Sequence, residues 1–168
     1  MATDLRDAFI LIPENIKANR QGQLTEQQRT KMRDMRLYSS IGSLLAIVVL
    51  VGLMLFFLVD LGKELDSITL VSLEGLLAMI LIFISIYGIT RWRIFANDLQ
   101  KGQIAYISGK AVVKSYTVGK SIQRHYKITI ENLSFDISSE VAKKLDTSRD
   151  YKLYYARQSK FILSIETI

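Results

Sequence analysis

Two long apolar segments, separated by only seven residues, are the feature that most constrains this chain. Residues 37–59 contain no charged side chain, and residues 67–90 contain a single one, Glu74. As helices rising about 1.5 Å per residue, each segment would be roughly 35 Å long, which exceeds the ~30 Å hydrocarbon core of a bilayer. The sequence therefore predicts a hairpin of two transmembrane helices.

Basic residues beside the apolar segments predict the orientation of the hairpin. Seven of them flank its two outer ends, namely Arg29, Lys31, Arg33, Arg36, Arg91, Arg93 and Lys101. The connecting loop, residues 60–66, contains only Lys63 as a basic residue. The positive-inside rule then predicts that both termini are cytoplasmic and that the loop faces outward. We expect no cleavable signal peptide, because the first apolar segment is too long for one and follows a charged stretch.

Aromatic and basic side chains at the cytoplasmic ends of the helices are expected to lie at the membrane interface, where rings and long cations are favoured. The predicted interfacial residues are Arg33, Arg36, Tyr38, Arg91, Trp92 and Arg93.

Small residues predict where the two helices pack, because they let helix backbones approach closely. In an antiparallel hairpin, Gly42 would face Ser85 or Gly88. Gly52 would face Gly75 or Ala78. The predicted packing positions are Gly42, Ala46, Gly52, Gly75, Ala78 and Gly88. The same faces could instead join copies of the chain, so a homo-oligomer is left open.

Glu74 is the one ionisable group inside an apolar segment and is therefore a candidate functional residue. It lies about two turns from the outer end of its helix, where a carboxylate can reach the headgroups and is favoured by the helix dipole. Neither segment contains a second carboxylate, a histidine or a basic residue that could act as a relay partner. A structural or interfacial role is the first interpretation, and an ion or proton pathway is the second.

The first 36 residues read as a helical arm. An apolar stripe predicts a short helix over residues 3–12, which Pro13 interrupts. A further short helix would end at Gly22. Thr25 and Gln28 form a capping box, so the first membrane helix is expected to begin between them, inside the cytoplasm.

After residue 93 the spacing of apolar residues changes from the repeat of a helix to the alternation of apolar and polar residues that is typical of strands. Residues 94–168 are predicted to form strand, strand, strand, helix, strand and strand, with a bend at Gly109 and with Ser138 capping the helix. A helix between the third and fourth strands is expected for a five-stranded OB-like barrel. An SH3-like barrel is the alternative.

The predicted fold class is thus a membrane α-helical hairpin followed by a small all-β or α+β barrel. Its predicted domains are the N-terminal arm (1–36), the transmembrane hairpin (37–93) and the cytoplasmic β-barrel domain (94–168).

Charge and composition narrow the function classes. The net charge is +6, and residues 91–168 carry fourteen basic and seven acidic side chains. Attraction to the anionic cytoplasmic leaflet explains this excess without nucleic acid. Most tyrosines of the C-terminal domain fall in register with aliphatic residues, which favours core positions. Nucleic-acid binding is therefore not expected.

The absence of cysteine excludes disulfides, iron–sulfur clusters and thiol nucleophiles.

Enzymatic motifs are missing from the sequence. His125 is the only histidine and lies on the polar face of its predicted strand, so we expect neither a catalytic base nor a usual zinc site. Gly119 and Lys120 belong to a predicted hairpin turn and not to a phosphate loop. We predict no catalytic residue, no metal and no cofactor.

A set of residues in the C-terminal half has a recognisable spacing, namely Asp98-Leu99, Gly102, Ile104, Tyr126, Phe135, Ile137-Ser138, Tyr151, Leu153-Tyr154-Tyr155, Ser159, Leu163-Ser164 and Glu166. With this spacing, the C-terminal half resembles the small β domain of prokaryotic two-helix membrane proteins to which no chemistry is assigned. The stretch Asn19 to Gln28, with Gly22 and Leu24-Thr25, is similar to the arm of such proteins. The layout is also loosely similar to NfeD-like proteins, which place an OB domain after membrane helices. The resemblance implies architecture only and transfers no functional residue. The expected location is the bacterial plasma membrane.

These observations together predict an integral membrane anchor that presents a non-catalytic interaction domain. Its expected partners are the lipid bilayer and a protein at the cytoplasmic face. The alternative is a small transport or channel subunit that acts as a homo-oligomer. A third interpretation, nucleic-acid binding recruited to the membrane, predicts salt-sensitive binding.

Overall fold

The computed structural model describes residues 11–59, 66–117 and 124–168. Most of the helix predicted at residues 3–12, the outer loop and the turn at Gly119 and Lys120 lie outside these residues. The elements are α1 (Pro13–Arg20), α2 (Glu26–Val59), α3 (Ser67–Lys101), β1 (Ile104–Thr117), β2 (Arg124–Ile130), β3 (Leu133–Ile137), α4 (Ser139–Lys144), β4 (Asp150–Ala156) and β5 (Ile162–Thr167).

The chain divides into two compact units. Arg33–Ala96 form one, which we call the hairpin unit, and Met1–Met32 with Asn97–Ile168 form the other, which we call the β unit. The sequence predicts the arm and the C-terminal domain as separate domains. The structure groups the described part of the arm with the β-sheet, because α1 packs against β5.

The arm forms its helices where local signals predict them. α1 begins at Pro13, and the chain turns after it at Gly22, whose φ of +72° suits a residue without a side chain. The Thr25 backbone N–H donates to Gln28 Oε1 at 3.1 Å, and the Gln28 N–H donates to Thr25 Oγ1 at 3.3 Å. This reciprocal pair is the predicted capping box, and α2 begins at Glu26 beside it.

α2 and α3 are the two long apolar helices that the sequence predicts. Both are long and apolar enough to cross a bilayer. In the most apolar 18-residue stretch of α2, 0% of the residues are buried. In the corresponding stretch of α3, 6% of the residues are buried. The core helix of a soluble domain would be mostly buried, so these helices present apolar surface that the described residues of the chain do not cover.

The five strands form one antiparallel sheet in the order β3-β2-β1-β4-β5. β1 is shared, because residues 104–110 pair with β4 and residues 111–117 pair with β2. Gly109 lies at this change of partner with a φ of +151°, which confirms the predicted bend. The sheet is open, and no pairing joins β3 to β5 among the described residues.

The sheet curls around a core on its inner face. Phe135 of β3 and Tyr155 of β4 bring their ring centroids within 5.2 Å, although two strands separate them in the sheet. Val141 of α4 belongs to the same buried cluster. Ser138 caps this helix, with its Oγ accepting from the Val141 N–H at 3.4 Å, as predicted. Within the described residues, the inner core includes no side chain of α2 or α3.

Candidate interaction surface

The outer face of the curled sheet is largely exposed where β1, β2 and β3 lie side by side. Strand alternation points every second residue outward. The pairings Lys114↔Lys127 and Tyr116↔His125 align the outward rows of β1 and β2. We call this surface the outer sheet face, and it comprises Tyr106, Ser108, Lys110, Val112, Lys114, Tyr116, His125, Lys127, Thr129, Ser134, Asp136, Asp150 and Lys152.

A lysine side chain lies over an exposed tyrosine ring at one end of the outer sheet face. Tyr106 is 62% exposed. Lys152 Nζ lies 4.2 Å from the centroid of its ring and 5.4 Å from the centroid of the Tyr154 ring. Such cation–π contacts hold the ammonium group and the ring together on the surface. One face of the Tyr106 ring is thereby covered by the protein itself.

A second aromatic cluster lies at the other end of the outer sheet face. Tyr116 stacks on His125 with the ring centroids 5.5 Å apart, and Lys127 Nζ lies 5.4 Å from the Tyr116 centroid. The Tyr116 hydroxyl donates to Asp136 Oδ1 at 3.0 Å. This hydrogen bond to a carboxylate raises the pKa of Tyr116, because the bond favours the protonated phenol. The His125 ring packs beside Tyr116.

The tyrosines divide between the two faces of the sheet. Tyr126, Tyr151 and Tyr155 contribute to the inner core, as their register predicts. Tyr106 and Tyr116 instead point outward. The sequence does contain a signal for this, because both share the outward parity of β1 with its lysines.

The outer face of β4 and β5 is covered by the arm. Asn19 Nδ2 donates to Ser164 Oγ at 2.6 Å, and Arg20 Nε donates to Glu166 Oε2 at 2.7 Å. Tyr154 completes the cluster by donating its hydroxyl to Glu166 Oε1 at 2.8 Å. Asn19 and Ser164 are both buried. We call these pairs, with the Gln28 bond described next, the arm contact.

Gln28 joins the start of α2 to the sheet. Its side chain is 0% exposed, and its Nε2 donates to the Leu163 carbonyl of β5 at 3.0 Å. Its Oε1 meanwhile accepts from Thr25 in the capping box. The Gln28 side chain thus stabilises the first turn of α2 and also holds that turn against β5.

Asp98, near the end of α3, holds the turn between β4 and β5. Its carboxylate is buried, with Oδ1 accepting from the Gln158 N–H at 3.1 Å and Oδ2 from the Ser159 N–H at 2.6 Å. Charge-assisted bonds to backbone N–H groups compensate for burying the carboxylate. Asp98 thus has a structural role.

Glu166→Gln is expected to weaken the pH dependence of the free energy of unfolding of the β unit at acidic pH. Burial raises the pKa of Glu166, but the hydrogen bonds from Arg20 and Tyr154, with the charges of Arg20 and Lys152, lower it further, so the net shift is downward. Because the pKa of Glu166 is lower in the folded state, its ionised carboxylate stabilises the fold at pH values above its unfolded pKa of about 4.3. This stabilisation is lost as the pH falls through the folded pKa. Denaturant unfolding of the intact chain between about pH 3 and pH 6 measures the change. The exposed Glu131→Gln is the control, and equal weakening in both variants would contradict the assigned role.

The predicted helix-packing residues behave differently from one another in the hairpin unit. A Cβ at Gly88 would lie 2.6 Å from Ser43 Oγ, so this glycine permits a close approach of α2 and α3. A Cβ at Gly42, Gly52 or Gly75 would meet nothing within 4 Å. Two further packing positions, Ala46 and Ala78, are half-buried.

The predicted interfacial residues lie at the end of the hairpin unit where the apolar segment of α2 begins and that of α3 ends. Arg36 places its guanidinium 5.3 Å from the centroid of the Trp92 ring, and Arg91 Nε donates to the Tyr87 hydroxyl at 3.1 Å. Tyr38 is exposed. The remaining two, Arg33 and Arg93, are exposed as well. A cation paired with an aromatic ring is a frequent arrangement at membrane interfaces.

Glu74 lies half-buried in α3. Its Oε1 is enclosed and has no hydrogen-bond partner among the residues that the structure describes. An enclosed carboxylate oxygen without a donor is costly, so this position is a second candidate site.

Within residues 11–59, 66–117 and 124–168, no three His, Asp or Glu side chains form a group that could hold a metal ion. No family model, no curated protein and no solved structure matches the chain. The resemblance to two-helix membrane proteins therefore stays an expectation from the sequence.

Proposed function

We propose that the chain is an integral protein of the bacterial plasma membrane. Its hairpin unit anchors it, and its β unit acts in the cytoplasm as a non-catalytic interaction domain for a protein partner. The observation that carries the proposal is the exposure of two long apolar helices joined to a β unit that has its own buried core. A bilayer is the environment in which such helices are stable.

The β unit is further proposed to be an OB-like barrel, with an SH3-like barrel as the alternative. The curl that brings Phe135 to Tyr155 supports a barrel, as does the position of α4 between the third and fourth strands.

The interaction role is tested by proximity labelling with the intact chain in cells. Leu153→Asp places a charge in the core of the β unit, and Thr147→Asp places the same charge at an exposed position. We expect a partner that wild type and Thr147→Asp label equally and that Leu153→Asp labels at least tenfold less. Equal labelling by all three, with normal membrane insertion, would contradict the role of the β unit.

A small transport or channel subunit is the second candidate function, and the enclosed Oε1 of Glu74 favours it. Vesicles reconstituted with the intact chain provide the test. If the hairpin is only an anchor, ion flux equals that of empty vesicles and Glu74→Gln changes nothing. Flux that is present in wild type and lost in Glu74→Gln would instead establish transport.

A further inference from the structure

The outer sheet face has an excess of positive charge. Four lysines project from it, namely Lys110, Lys114, Lys127 and Lys152, against the carboxylates of Asp136 and Asp150. Glu166 of β5, beside the face, lies opposite Lys152. One of these carboxylates, Asp136, is already bonded to Tyr116. An anionic ligand is the one that this charge pattern complements.

The covered aromatic rings disfavour a nucleic acid as that ligand. Proteins that bind single strands stack bases on open aromatic faces. Here Lys152 lies over the Tyr106 ring, while His125 and Lys127 lie over the Tyr116 ring. A base could stack on these covered ring faces only by displacing the side chains that lie over them. The lysines and the ring edges remain available to phosphate groups.

Membrane anchoring favours the adjacent lipid as the anionic ligand. A chain anchored in a membrane needs only weak binding to the lipid beside it, because anchoring raises the effective concentration.

We infer that the outer sheet face binds the anionic lipid headgroups of the membrane that holds the hairpin. The inference rests on the proposed membrane anchoring. The lysine ammonium groups bind lipid phosphates, and Tyr106 and Tyr116 lie at the level of the headgroups, where tyrosine is favoured. The rest of the surface of the β unit stays free for a protein partner.

The test uses the intact chain in lipid nanodiscs. The sequence contains no cysteine, so Val112→Cys on the outer sheet face can carry a single environment-sensitive fluorophore. Thr147→Cys, also exposed, is the matched control. We expect emission from position 112 to shift to the blue and to rise about twofold or more when 30% phosphatidylglycerol is added to phosphatidylcholine. Salt at 0.5 M, where the Debye length is roughly 4 Å, should reverse the change, and position 147 should not respond.

Charge variants in the Val112→Cys chain identify the binding residues. The double substitution Lys110→Gln and Lys114→Gln should abolish the response, whereas Lys143→Gln and Lys144→Gln on α4 should leave it unchanged. An equal signal in neutral and anionic discs would overturn the inference. So would a response in neutral discs to a single-stranded oligonucleotide or an acidic peptide alone. The topology of the chain is measured separately, so a failure of lipid binding is distinguishable from a failure of membrane anchoring.

Discussion

Leu153→Asp is expected to unfold the β unit of the intact chain. Leu153 is 0% exposed and lies in β4 between Ile107 of β1 and Ile165 of β5. A carboxylate at this position has no donor in the apolar core, so it must be desolvated unpaired or protonated. That cost is comparable with the whole stability of a small domain, which is about 5–15 kcal/mol.

Limited proteolysis and near-ultraviolet circular dichroism of the intact chain measure this unfolding. The many lysines and arginines of residues 97–168 should become accessible to trypsin in Leu153→Asp, and the aromatic signal should be lost. Thr147→Asp adds the same charge at an exposed position and should behave as wild type. A Leu153→Asp chain as resistant as wild type would show that the assigned core is incorrect.

Gln28→Ala is expected to lower the free energy of unfolding of the β unit by about 3 kcal/mol. The change removes the capping-box acceptor for the Thr25 N–H and the donor to the buried Leu163 carbonyl. Loss of an N-terminal capping interaction costs roughly 0.5–2 kcal/mol, and a buried carbonyl left without its donor costs roughly 1–3 kcal/mol.

The neighbouring Gln27 provides the matched control, because it is exposed and its bond from Asn15 is long, at 3.5 Å. Gln27→Ala should stay within about 0.5 kcal/mol of wild type. Denaturant midpoints of the intact chain, read from the aromatic signal, compare the two variants. Equal midpoints would mean that the arm contact does not stabilise the sheet.

Features governed by neighbouring residues could be predicted from the sequence. The capping box at Thr25 and Gln28, the Ser138 cap and the bend at Gly109 each depend on a few consecutive residues. The succession of three strands, a helix and two strands along the chain follows in the same way, because alternation is a local pattern. These predictions are confirmed.

Features that depend on distant pairs could not be predicted from local patterns. Asn19 and Ser164 are 145 residues apart, and nothing in either segment indicates that they are partners. The close approach of Gly88 to Ser43 depends on the rotation of each helix about its axis, which a stripe of small residues does not define. The arm contact therefore appears only in the folded structure. It also means that a fragment starting at Gln100 would lack the cover over β5.

Membrane topology decides whether the β unit lies in the cytoplasm. A reporter that is active only outside the cytoplasm is fused after Ile168 in one chain and inserted near Gly62 in another. The seven basic residues at the outer ends of the hairpin, against one in the loop, predict a silent C-terminal fusion and an active loop insertion. An active reporter after Ile168 together with a silent one near Gly62 would contradict the account.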